Sequence, residues 1–157
     1  MSFHRKSSNT SMISKHPSDS TAQQFAEKKI LALLNKKHNF KLVNHKVVID
    51  GTAFQLDGYS EKPPVLCEIY SRIGRLKPAQ KNKINKDILK MLLIEKMLNR
   101  AFRKIIAFAD EEAAGSFKDG ESWYSKLKDY FRIEIIVIDI PEALKENLIN
   151  AQKRQYR

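Results

Sequence analysis

Residues 65–70 read Val-Leu-Cys-Glu-Ile-Tyr. As a strand, this stretch places Leu66, Glu68 and Tyr70 on one face and Val65, Cys67 and Ile69 on the other. Both faces carry apolar side chains, so the strand must be covered front and back. That is the situation of a central strand in a sheet with helices on both sides. Glu68 is the exception within the apolar run. A buried carboxylate is costly unless a cation or a paired donor meets it. The same six residues therefore constrain the layering of the fold and point to a site.

The flanking chain supplies the layers. Residues 1–19 are rich in Ser, Lys and His and lack apolar periodicity, which predicts a disordered basic arm. A helix is expected from Ser20, with Ser20 and Gln23 as a capping box. Ala22, Ala26, Ile30, Leu33 and Leu34 would form its inner face. Strands are expected over 39–50 and 52–59, joined by the turn pair Asp50-Gly51. A third follows at 65–71, after a break at Glu61-Lys62-Pro63-Pro64. A long helix is predicted over 79–100, with Ile84, Ile88, Met91, Leu92, Leu98 and Phe102 marking the buried stripe. Short apolar runs at 104–109 and 133–140 read as buried strands. Between them Gly115 and Gly120 punctuate, and Trp123, Leu127 and Tyr130 line a helix. Pro141 fits the first position of a last helix, with Leu144, Leu148 and Ala151 facing in. The expected order is α-β-β-β-α-β-α-β-α, a mixed central sheet flanked by helices in a single α/β domain over 20–157.

Charge bears on partners. Lys and Arg number 29 against 18 Asp and Glu, a formal balance of +11. Such a surface favours polyanions, nucleic acid above all. Seven basic residues (Arg72, Arg75, Lys77, Lys81, Lys83, Lys86, Lys90) and one acid, Asp87, fall between 72 and 90. Their place just after the strand of Glu68 suits phosphate contact. No apolar stretch is long enough to span a bilayer. Cys67 is the one cysteine, which excludes an internal disulfide and a cysteine-rich zinc site. It reads as a small buried hydrophobe in a reducing, cytoplasmic compartment. The four histidines (His4, His16, His38, His45) are scattered and form no metal-binding motif.

Asp57, in Phe-Gln-Leu-Asp-Gly-Tyr-Ser, lies on the strand before Glu68. Carboxylates on neighbouring strands can hold Mg²⁺ or Mn²⁺ while leaving water and substrate oxygens in the ion's shell. A nearby lysine can orient the attacking water and damp developing charge.

This order of elements and acids resembles the PD-(D/E)XK, or restriction-endonuclease-like, nuclease superfamily, over roughly residues 20–140. That superfamily has an αβββαβ core, an Asp ending one strand and an (Asp/Glu)-X-Lys on the next. The resemblance implies that Asp57 is the first acid and Glu68-Ile69-Tyr70 the second motif, with Tyr70 standing where lysine is expected. It implies further that Gln80 is the helix glutamine, and Glu27 the glutamate that some members carry on the first helix and a further metal ligand. Tyrosine offers no positive charge at neutral pH. Lys83 is the first substitute expected for the missing lysine, then Lys81 and Lys77, with Arg72, Arg75 and Lys86 holding nucleic acid. The implied activity is metal-dependent hydrolysis of DNA, by a chain acting alone, as a homodimer or with a protein partner. The alternative is a catalytically silent module of the same fold that binds nucleic acid or a protein.

Overall fold

A computed structural model describes residues 17–118, 120 and 122–155, with side chains from Ser20 onward. The elements are α1 (Pro17–His38), β1 (Val43–Ile49), β2 (Thr52–Ser60), β3 (Val65–Tyr70), α2 (Pro78–Leu98), β4 (Arg103–Phe108), α3 (Glu111–Lys118), α4 (Trp123–Phe131), β5 (Ile133–Val137) and α5 (Glu142–Gln155). The five strands lie in sequence order across one open sheet. β1, β2 and β3 pair antiparallel; β3, β4 and β5 pair parallel. The molecule is thus an α/β domain whose mixed sheet has helices on both faces.

β3 sits at the centre, where its pattern demands it, and Val65 to Ile69 are all buried. One face packs Leu56, Leu66, Ile106 and Phe108 against α2 and α3. The other packs Val65, Cys67, Ile69 and Ile105 against Ala26, Ile30 and Leu34 of α1 and Leu144 and Leu148 of α5. Cys67 is fully buried, and burial drives its thiol pKa well up. At the β1–β2 hairpin Asp50 (φ 48°) and Gly51 (φ 77°) both adopt the left-handed region. That is the turn chemistry a tight two-residue hairpin requires.

Several expectations need correction. α1 starts at Pro17, so Ser20 lies inside the helix rather than ahead of it; the rest of the expected arm, residues 1–16, falls outside the described residues. Two helices, α3 and α4, separate β4 from β5, one more than the expected order holds, and Gly115 lies within α3 rather than between elements. Leu98 is exposed, and Ile94 takes the place expected for it in the buried stripe of α2. Phe102 is buried but belongs to the loop before β4. Pro141 precedes the last helix as its cap, accepting from Leu144 N and Lys145 N. On α4, Trp123 and Tyr130 face solvent instead of the core.

Candidate functional site

The site forms where β2 and β3 part. Their ladder runs Ser60↔Val65, Tyr59↔Leu66, Gly58↔Cys67 and stops. Asp57 and Glu68 follow directly on either side of that last pair. Opposite β1, the register steps from His45↔Leu56 to Val43↔Tyr59, so β2 carries one extra residue there, a bulge at Asp57-Gly58. Bulges bend a strand and re-aim its side chains. Gly58 permits this one to pack closely: a Cβ there would lie 3.1 Å from Cys67 Cβ and 3.2 Å from Leu31 Cδ1. With the backbone ladder ended, Asp57 substitutes for it, its Oδ2 accepting from Ile69 N at 2.9 Å.

The two carboxyl groups meet. Burial is the largest influence on Glu68; the charge of Asp57 and its side-chain hydrogen bond add to it, and together they push the Glu68 pKa up to about 9. Lys90 of α2 pulls the other way, its Nζ 2.8 Å from Glu68 Oε1. Lys90 is thus the cation that meets the buried Oε1 of Glu68. Metal-free and near neutrality, the acid pair therefore retains a proton.

Lys90, which the sequence places in the basic run but not among the lysines expected at the acids, is the cation that meets Glu68. It also bonds Gln55 O at 2.8 Å and lies 3.4 Å from Asp87 Oδ1. Burial lowers its pKa, but Glu68 and Asp87 outweigh that and the net shift is upward, so it stays a cation. Tyr70 completes the arrangement by donating its hydroxyl to Asp87 Oδ2. Burial first, then Asp87, raises the Tyr70 pKa strongly, so the hydroxyl keeps its proton. Tyr70 thus grips the carboxylate that flanks Lys90.

The other expected residues are distributed around this pair. Lys83 is exposed and its charge is felt by Glu27, not by Glu68. Burial and the charge of Asp57 raise the pKa of Glu27, while Gln23 and Lys83 lower it. Glu27 lines a cleft of about 430 Å³ with Gln24, Lys28, Asn44 and Asp57. It completes no ligand trio: among the described residues no group of three or more His, Cys, Asp or Glu is placed to hold a metal. Gln80 lines a second cleft with Tyr70, Arg72 and Lys83, and its Oε1 accepts from Lys77 N, capping α2. Lys81 lies over the ring of Tyr124. Arg75, Lys77 and Lys86 are exposed.

Two neighbouring carboxylates, Asp57 and Glu68, fit a Mg²⁺-type ion, which needs only one or two protein carboxylates and keeps several waters. The chain matches no protein-family model, no curated protein and no solved structure. Among the described residues no helix is long and apolar enough to cross a membrane.

Proposed function

We propose that the protein is a metal-dependent nuclease of the restriction-endonuclease-like type, hydrolysing phosphodiester bonds of DNA. The observation that carries this reading is the Asp57–Glu68 pair at the parting of β2 and β3, with Lys90 beside it. Asp57 and Glu68 would hold Mg²⁺ or Mn²⁺. Bound there, the ion would make a water nucleophilic and neutralise the leaving oxyanion. Lys90, fixed by Asp87 and Gln55 O, presents a permanent positive charge where charge builds on the phosphate. Its raised pKa suits an electrostatic role rather than that of a base. The exposed Arg75, Lys77, Lys83 and Lys86 give the flank a salt-sensitive hold on the backbone.

The test is incubation with single- and double-stranded DNA and RNA in Mg²⁺, Mn²⁺ or EDTA. Cleavage of DNA with metal alone is expected, and its loss in Asp57→Ala and Glu68→Ala with the fold intact. Unchanged cleavage by both variants would remove the reading.

A second reading is favoured by one observation. Tyr70 occupies the position where the resemblance expects lysine, and Lys90 is engaged by two carboxylates and a carbonyl. Such a closed arrangement suits a silent module that binds nucleic acid or a protein. Salt-sensitive DNA binding without cleavage in any divalent metal would select it.

A further inference from the structure

α4 is polar and aromatic in an order that burial does not explain. Of its residues only Ser125 is buried. Trp123 is 58% exposed and Tyr130 83% exposed. Trp123, Lys126 and Tyr130 recur at i, i+3 and i+7, so they lie along one face. That face reads aromatic, lysine, aromatic, and Lys126 is exposed. The indole is already stacked on its inner side, 4.2 Å between centroids and 29° from the plane of Tyr124. Tyr124 in turn packs on Phe117 at 5.2 Å and has Lys81 Nζ 5.5 Å from its centroid. Phe117, Phe108 and Tyr70 continue the row at 6.4 and 5.7 Å. One line of rings therefore links the outer face of α4 to the side chain that grips Asp87.

The ledge is thus backed by packed rings, Trp123 is exposed among the described residues, and Lys81 and Lys126 stand beside it. Asp129, the acid of α4, is 3.7 Å from Lys128 and so partly neutralised. An aromatic face flanked by lysines fits a nucleobase attached to a phosphate chain. In a duplex the base faces are occupied by their neighbours, so only an unpaired base can lie on the indole.

We propose that Trp123 and Tyr124, with Lys81 and Lys126 beside them, form a ledge that stacks an unpaired base of single-stranded nucleic acid. Delivery of that strand to Asp57 and Glu68 rests on the nuclease reading; binding at the ledge does not. Trp123 is the one tryptophan of the chain, so its emission reports the ledge alone. In EDTA, where no cleavage occurs, the wild-type chain is titrated with oligothymidylate of about 16 nucleotides, enough to cover such a site. Quenching of the emission is expected, with little change from a duplex of equal length. Trp123→Ala, a change at an exposed side chain, should bind labelled oligothymidylate about tenfold or more weakly, and Trp123→Phe should recover much of the loss. Unaltered emission at saturation, or equal affinity in Trp123→Ala, would overturn the proposal. So would a wild-type dimer that Trp123→Ala converts to monomer in sedimentation, which would assign the ledge to a second copy. If the ledge holds but no metal-dependent cleavage exists, the nuclease reading alone fails.

Discussion

Two lysine–glutamate pairs join α2 to the sheet, and each measures 2.8 Å: Lys90–Glu68 and Lys104–Glu95. Lys104 of β4 is buried, and its partner Glu95 also accepts from Phe102 N at 2.8 Å through its other oxygen. Every charge in that pair has an answering group, and the pair fastens the end of α2 to the start of β4. Glu68 instead faces a second acid, Asp57, as well as Lys90. Equal distances thus conceal different tasks. A pair with one acid and one base holds a fold together, whereas two acids that keep a proton between them can exchange it for a cation.

Removing the two lysines in turn should separate those tasks. Lys90→Met is expected to lower metal-dependent cleavage by about 10²–10³, the loss typical of one preorganised charge-stabilising group. Its stability should change by no more than about 1 kcal/mol, because Glu68 can stay protonated. Lys104→Met should do the reverse, costing about 3 kcal/mol in denaturant unfolding by leaving Glu95 short of its cation. Its rate per folded molecule should hold. Equal effects of both variants on cleavage and on stability would erase the distinction.

Asp87→Asn sharpens the comparison at a smaller scale. It weakens the hold of Tyr70 and of the Asp87 carboxylate on Lys90. Cleavage should fall about tenfold, as for other groups that orient a neighbour, with DNA affinity nearly unchanged. A variant as fast as wild type would show that Lys90 needs no such support.

A further effect is on pH-dependent stability. An unfolded glutamate titrates near 4.5, and folded Glu68 near 9. Between those values the native state keeps a proton that the unfolded chain has released. Stability contributed by this group is therefore lost as pH rises through that window. Glu68→Gln should flatten the slope and raise metal-free stability at pH 8 by a few kcal/mol, on the order of 1.4 kcal/mol for each pH unit above 4.5. Mg²⁺ should raise the Tm of wild type at that pH and leave Glu68→Gln unmoved. A wild-type slope that matches the variant would place Glu68 in ordinary surroundings.

The sequence made much of this visible and hid the rest for definable reasons. The apolar run around Glu68, the Asp50-Gly51 turn and the stripe of Ile84, Ile88 and Met91 express local periodicity, which a chain displays directly. The place of Asp57 depends on a bulge, which leaves no mark in alternation; Gly58 was its one available signal. Lys83, the lysine expected beside the acids, is exposed, and the lysine found against Glu68 is Lys90. Lys90 follows Lys83 by seven residues, so the two differ by about 20° in phase but by about 10 Å along the axis. Phase is written in residue spacing, while axial position depends on how residues 71–77 lead into α2. On α4, Trp123 and Tyr130 follow an inward-facing pattern, yet Phe117 and Tyr124 already fill the adjoining space.

The central claim is that Asp57 and Glu68 form one cation-binding pair. A crystal soaked in Mn²⁺ tests it through anomalous scattering. The expected result is a single strong peak in contact with carboxylate oxygens of both residues. No peak there at saturating Mn²⁺, with Lys90 still seated on Glu68, would contradict it.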